Sequence, residues 1–89
     1  MALNPAGDEA YVELANLHLE QGQTGKASQD ADLAVAANPS SADAHLVRGA
    51  VYQQQRRNAQ ARAEYQLYLK LAPRGEFARE IRQILPTLR

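Results

Sequence analysis

Apolar side chains recur along this 89-residue chain at steps of three and four residues, the spacing that places them on one face of an α-helix. Turn residues interrupt this pattern. A turn is expected at about 22–25, around Gly22, and a helical segment ends before Pro39 because proline lacks the N–H that a helix interior needs. The pattern predicts five helices, at about 8–21, 25–37, 41–55, 59–72 and 76–86.

The helices follow a repeating unit. Pro5, Pro39 and Pro73 are equally spaced in the sequence, and Ala27 and Ala61 keep the same interval. A fixed period of this length is typical of a chain built from stacked copies of one small unit. Because one such unit cannot bury its apolar face alone, we expect two helical hairpins that stack and share a core.

The two ends of the chain differ from the hairpins. The last helix has no partner helix, so we expect its apolar side to cover the second hairpin and its polar side, with Arg79 and Glu80, to face water. Residues 1–5 are similar to the end of the segment that stops at Pro39. We therefore expect a section of a longer array that keeps a C-terminal capping helix.

Counted from Asp8 and Ala42, the two units resemble the tetratricopeptide repeat (TPR), a helix-turn-helix unit. The shared register extends over nearly the whole chain. The matching residues are Tyr11 at the fourth position, Ala15 and Gly49 at the eighth, Tyr52 at the eleventh, Ala27 and Ala61 at the twentieth, and Pro39 and Pro73 at the thirty-second.

Three positions depart from the family pattern. Arg48 stands at the seventh position, where leucine is usual. Ala31 is smaller than the aromatic residue expected at the twenty-fourth position, which Tyr65 supplies in the second unit. Tyr68 is larger than the small residue expected at the twenty-seventh position.

The resemblance implies an all-α fold, a right-handed α-α superhelix of two helix-turn-helix hairpins plus a C-terminal solvating helix. It implies one TPR domain over residues 1–89, with repeats at about 8–41 and 42–75 and a capping helix at about 76–86. The implied function is a non-enzymatic adaptor that binds a peptide segment or a partner subunit, as part of a larger scaffold.

In this family the first helix of each hairpin lines a concave groove. Apolar residues on this solvent-facing stripe suggest a contact surface, although neighbouring side chains in a short array can cover them in part. Asn16 alone matches the clamp with which chaperone-binding members hold a C-terminal carboxylate, so we do not expect that ligand class. The groove positions correspond to Glu9, Val12, Asn16, Leu19, Glu20, Asp43, Leu46, Ala50, Gln53 and Gln54, and the last helix can add Phe77 and Glu80.

Charge is balanced over the whole chain but divided between its halves. Residues 1–45 carry seven carboxylates and one lysine, a net charge of −6, and residues 46–89 carry nine cations and three carboxylates, a net charge of +6. The acidic groove end is expected to prefer basic ligand segments, and the two halves suit self-association. The alternative function is binding of nucleic acid or another polyanion through the basic half, at Arg48, Arg56, Arg57, Arg62, Arg74, Arg79 and Arg82.

Nothing in the sequence indicates catalysis, a cofactor or a metal site. The chain has no cysteine, and neither His18 nor His45 has a second histidine at metal-ligand spacing, so we expect both to pack in or near the core. Asp30 and Asp32 are expected to be solvated. No signal peptide or membrane-spanning segment is present, which leaves the compartment open, with the cytoplasm as the default expectation.

Overall fold

The computed structural model describes residues 7–88, and the expectation for residues 1–5 lies outside them. The described residues form an all-α structure, as the sequence predicted. The five α-helices begin and end within two residues of the predicted bounds. They are α1 (Gly7–Glu20), α2 (Thr24–Ala37), α3 (Ala42–Gln54), α4 (Asn58–Leu71) and α5 (Ala78–Ile84), followed by a 3₁₀ helix at Leu85–Thr87.

Consecutive helices pack as two hairpins, α1 with α2 and α3 with α4, and α3 also packs on α2. Two buried clusters result. The first core cluster joins α1, α2 and α3 through Ala15, Ala27, Ala31, Val47 and Val51. The second core cluster joins α4 to the C-terminal helices through Ala61, Tyr65, Tyr68, Ala78, Ile81 and Leu88.

The two hairpins fill the same contact with different pairs of residues. A Cβ atom at Gly49 would lie 2.6 Å from Cε1 of Tyr65, so only glycine leaves room for that ring. In the first hairpin the equivalent pair is Ala15 with Ala31, and both are fully buried. Ala15 adds one methyl group where the second hairpin has Gly49, so two alanines fill in the first hairpin the contact that a glycine and an aromatic ring fill in the second.

The oversized Tyr68 supports the turn between α4 and α5. Its hydroxyl accepts a hydrogen bond from the Phe77 backbone N–H at 3.0 Å. It also lies against Gly75, where any Cβ atom would collide with it. The ring is almost fully buried in the second core cluster, so the bulk that departs from the family pattern fills the junction with α5.

Helix α5 is a shortened third copy of the first helix of a hairpin. Ala78 and Ile81 stand one repeat length after Ala44 and Val47, and all four side chains are buried. The predicted helix over 76–86 is shorter in the structure because residues 73–77 form turns and Pro86 cannot continue an α-helix.

Ser40 and Asp43 have capping-box spacing, which predicts Ser40 as the cap of α3, but the structure uses its neighbour. Ser41, and not Ser40, accepts a hydrogen bond from the Ala44 N–H through its side chain, at 3.2 Å. Ser40 instead donates its backbone N–H to the Asn38 side chain.

The first helix of each hairpin ends in the same left-handed turn. Gly22 has φ +76°, and Arg56, at the equivalent position of the second unit, has φ +61°. Both turns are closed by a 2.8 Å hydrogen bond, from Gln23 N to His18 O in the first and from Arg57 N to Tyr52 O in the second. Glycine takes this conformation at no steric cost, whereas an arginine is strained there.

We expect Arg56→Gly to stabilise the chain by about 1 kcal/mol, because it removes this strain at the second turn. Urea unfolding followed by circular dichroism measures the change. Arg57→Gly removes the same charge at a residue with negative φ and serves as the control. If Arg56→Gly is no more stable than Arg57→Gly, the backbone of Arg56 is not strained as we infer.

Candidate functional site

A cleft of about 220 Å³ opens between α1, α3 and the turn before α5. We call it the central cleft. Of the predicted groove residues, it brings together Val12, Asn16, Asp43, Leu46 and Ala50. Phe77 joins them as predicted, but its neighbour there is Glu76 and not the expected Glu80. The lining is completed by Val47, so the full set is Val12, Asn16, Asp43, Leu46, Val47, Ala50, Glu76 and Phe77.

The floor of the central cleft is half-buried and its rim is exposed. Val12 packs against the first core cluster and Leu46 against the second, so neighbouring side chains cover part of each. Phe77 is 41% exposed at the mouth of the cleft. An exposed aromatic side chain beside partly covered aliphatic ones forms an apolar surface that a partner can bury.

One end of the cleft is acidic. A second hollow of about 150 Å³ shares Val12 and Asp43 with the central cleft and adds Asp8, Glu9 and Glu13. We call it the acidic hollow. Among residues 7–88, no lysine, arginine or histidine forms an ion pair with any of these carboxylates. The hollow therefore presents negative charge that the described chain does not neutralise.

The family's groove positions did not include Asp8, Glu13 or Glu76. The first two could have been found from helix geometry, because Asp8 precedes Val12 by four residues and Glu13 follows Glu9 by four. Glu76 lies in a turn, and no helical spacing indicates its place.

The other end of the cleft is polar. A wide hollow of about 640 Å³ shares Ala50 with the central cleft. We call it the polar hollow, and together the three hollows form the groove. Predicted residues Gln53 and Gln54 lie here, beside Arg56, which was not predicted as a groove residue. The complete lining is Ala50, Gln53, Gln54, Arg56, Asn58, Thr87 and Leu88.

The side chain of Gln53 is oriented by α4. Its Oε1 accepts a hydrogen bond of 2.7 Å from the hydroxyl of Tyr65. Burial raises the pKa of Tyr65 to about 12, so that hydroxyl remains a donor at neutral pH. Because the amide oxygen is engaged, the amide nitrogen is the part of Gln53 that remains to donate to a ligand.

Two predicted groove residues on α1 are, like Glu80, not among those that line the three hollows. Leu19 is half-buried and packs against the first core cluster. Glu20 is exposed at the last residue of α1. The structure thus separates these two residues from the other predicted positions on α1 and α3, which line the groove.

Each histidine contacts a carboxylate, and the two carboxylates occupy equivalent positions of the two repeats. His18 Nδ1 lies 2.6 Å from Oδ2 of Asp30, and His45 Nδ1 lies 2.7 Å from Oε1 of Glu64, the counterpart of Asp30 in the second unit. Nε2 of His45 also donates to the Pro39 carbonyl, at 2.7 Å. The expectation that Asp30 is solvated was wrong, because its carboxylate is largely buried against the ring.

Arg48, one of the departures from the family pattern, links the two hairpins. Its Nε lies 3.3 Å from Asp32 on α2 and 3.5 Å from Glu64 on α4. Its guanidinium also donates to the Tyr52 hydroxyl and lies over that ring. Burial acts to lower the pKa of Arg48, but the Tyr52 hydroxyl and the two carboxylates outweigh burial and raise it.

The ion pairs of Arg48 with Asp32 and Glu64 therefore join the two hairpins and serve the structure of the chain. In the described part of the chain, no group of three His, Cys, Asp or Glu side chains is placed to hold a metal ion. Nor does any helix between residues 7 and 88 have the length and apolar character needed to cross a membrane.

Paired helices that repeat in a fixed register place the chain among the α-helical repeat proteins. It belongs to the tetratricopeptide repeat family, whose model matches residues 8–41 and 42–74, and this confirms the resemblance seen in the sequence. Repeats of this family are generally protein–protein interaction modules and typically non-enzymatic. A search of curated proteins found no match.

Glu64→Gln is expected to destabilise the chain by about 1–3 kcal/mol, because it removes a largely buried charge that both His45 and Arg48 contact. Asp32→Asn is the matched control, because Asp32 also contacts Arg48 but its side chain is 59% exposed, against 12% for that of Glu64. The control should cost less than about 1 kcal/mol. Equal losses in urea unfolding would show that burial does not decide the strength of this network.

Tyr65→Phe is expected to lower the free energy of unfolding by about 1 kcal/mol at neutral pH, because it removes the hydrogen bond to Gln53. An unfolded tyrosine ionises at about pH 10, whereas burial raises the pKa of native Tyr65 to about 12. The protonated hydroxyl therefore stabilises the fold fully below about pH 10, and this contribution is lost as the pH rises towards about 12. Urea unfolding at about pH 9 and pH 11 should show the difference between parent and variant becoming smaller; a constant difference would contradict it.

Proposed function

We propose that this chain is a non-enzymatic adaptor that binds a segment of another protein in the groove formed by α1, α3 and the turn before α5. One observation carries the proposal: the central cleft combines the apolar side chains of Val12, Leu46 and Phe77 with carboxylates that no cation within residues 7–88 neutralises. Desolvated apolar contacts give affinity, and the charges give selectivity.

The chemistry of the groove favours a ligand with apolar and basic side chains. An apolar side chain in the central cleft would cover Leu46 and Phe77, and a lysine or arginine beside it would reach the carboxylates of Glu9, Glu13 or Asp43. We expect moderate affinity, because the groove of two hairpins is short and an ordered peptide loses conformational freedom.

The described helices also support a place in a larger scaffold. On α3, the side chains of Val47 and Val51 are buried against the first hairpin. Their equivalents on α1 are Glu13, which lines the acidic hollow, and Leu17, whose apolar side chain is 46% exposed. We propose that the Leu17 side of this face packs against a further helical hairpin of the same kind, as α3 packs against α2, and leaves Glu13 at the edge of the groove.

The C-terminal helix suits the role of a cap. The face of α3 that holds α4 carries His45 and Gly49, and the equivalent residues of α5 are Arg79 and Gln83, both exposed and polar. A polar face of this kind does not favour another helix, which supports the proposal of one domain closed by α5.

Binding of a polyanion through the basic half is the alternative. Arg74, Arg79 and Arg82 line a hollow of about 450 Å³ near the turn before α5. Glu76 and Glu80 line the same hollow and would repel phosphate. The arginines are therefore a weaker candidate site than the groove.

Leu46→Glu and Phe77→Ala are expected to abolish retention of the partner protein when the immobilised chain is exposed to a lysate of its source at high salt. Leu33→Glu is the control, because Leu33 is 47% exposed on α2 and lines none of the three hollows of the groove. Mass spectrometry of the retained material reads out the result. Circular dichroism checks that each variant folds.

A protein kept by the parent and by Leu33→Glu, and lost by both groove variants, would support the proposal. Loss of the same protein by Leu33→Glu alone would place the contact on α2 instead. Retention of nucleic acid only, and only at low salt, would support the arginine surface, since phosphate contacts weaken steeply as salt rises.

A further inference from the structure

The two ends of the groove carry opposite charge. Carboxylates of Glu9, Glu13 and Asp43 surround the acidic hollow, and Arg56 is the charged residue that lines the polar hollow. The direction from one to the other follows α3. Between Asp43 and Gln54 the helix rises by about 17 Å, which is the length of about five residues of extended chain.

Arg56 occupies its position at a cost in stability. The equivalent turn of the first hairpin uses Gly22, which takes the left-handed conformation freely, whereas Arg56 holds the same conformation against steric repulsion. Within residues 7–88 its side chain forms no ion pair, and it is exposed. The fold gains no ion pair from the arginine, so a strained residue at the rim of the groove points to a role in binding.

The polar hollow also has an amide donor whose side chain is held in place beside Arg56. The amide oxygen of Gln53 is engaged by Tyr65, which leaves its amide nitrogen as a donor. The hydroxyl of Thr87 gives its hydrogen to the Ile84 carbonyl and therefore offers no donor to a ligand. A guanidinium next to an amide donor suits a carboxylate of the ligand.

We propose that the groove selects its partner by charge order: a basic residue over the acidic hollow, an apolar residue in the central cleft, and an acidic side chain at Arg56, with the two charged residues about five positions apart. This rests on the proposed function, since it requires that a peptide segment binds in the groove. Arg56 is then the residue that determines specificity at one end.

Two synthetic heptapeptides test the proposal. One has the sequence Lys-Lys-Ala-Leu-Ala-Ala-Glu and the other replaces its glutamate with glutamine, and both are acetylated and amidated so that their termini carry no charge. Each is titrated at low salt into isotopically labelled protein, and the dissociation constants are taken from shifts of backbone amide signals, which report binding even at millimolar affinity.

The parent chain is expected to bind the glutamate peptide about twofold to fivefold more tightly than the glutamine peptide, as one exposed charge pair allows. Arg56→Gly should bind both peptides equally, and Arg57→Gly, the charge-matched control, should keep the preference. The two peptides, each measured with the parent chain and with Arg56→Gly, form a double-mutant cycle that isolates the coupling between Arg56 and the peptide carboxylate. The backbone amide spectrum of Arg56→Gly checks that the variant is folded, so that a loss of the preference can be assigned to the missing guanidinium.

The outcomes separate the two proposals. If both peptides shift the amides of Leu46 and Phe77 with equal affinity for the parent chain, charge order is overturned and the groove remains the binding site. A preference that survives in Arg56→Gly overturns the role of Arg56. If neither peptide shifts these amides at millimolar concentration, a basic and apolar segment is not the ligand, and the proposed function fails together with the charge order.

Discussion

The groove exists because α3 is held from both sides. On one side Gly49 lets the Tyr65 ring approach the helix backbone, and on the other Val47 and Val51 fill the first core cluster against α1 and α2. These contacts use the buried faces of α3 and leave a stripe with Asp43, Leu46 and Ala50 to face outward next to α1. A substitution that moved α3 relative to either neighbour would change the shape of the central cleft even if every lining residue stayed the same, because a packed interior transmits displacement.

The departures from the family pattern are explained by pairs of residues and not by single positions. Tyr65 requires Gly49 because a Cβ atom there would collide with its ring, whereas the smaller Ala31 leaves room for the methyl group of Ala15 across the same helix contact. Arg48 replaces an apolar residue, and carboxylates on α2 and α4 balance its charge at the boundary between hairpins. A buried or half-buried cation needs such partners to offset the loss of hydration. Each of these departures therefore makes sense only together with its partner on a neighbouring helix.

Periodicity was sufficient to predict the helices and their register, because side chains one repeat length apart have equivalent environments in a stacked array, and the family resemblance supplied the groove positions. It could not separate Leu19 from Leu46, since both lie on the predicted stripe and only the positions of neighbouring helices decide which of them lines the cleft. The hydrogen bond of Asp30 to His18 was missed for a similar reason. Contacts between helices depend on the rotation of each helix about its axis, and the sequence pattern gives that rotation only approximately.

The order of charges in the groove agrees with the electrostatics of its helices. Glu9 and Asp43 lie in the first turns of α1 and α3, where the positive end of the helix dipole favours a carboxylate. Arg56 follows the end of α3, where the dipole favours a cation. Because equivalent helices of successive units point in the same direction, the same interaction gives both helices an acidic start on the same side of the groove. In the proposed charge order, the carboxylates at the acidic end serve both stability and selectivity, whereas Arg56 serves selectivity at a cost in backbone strain.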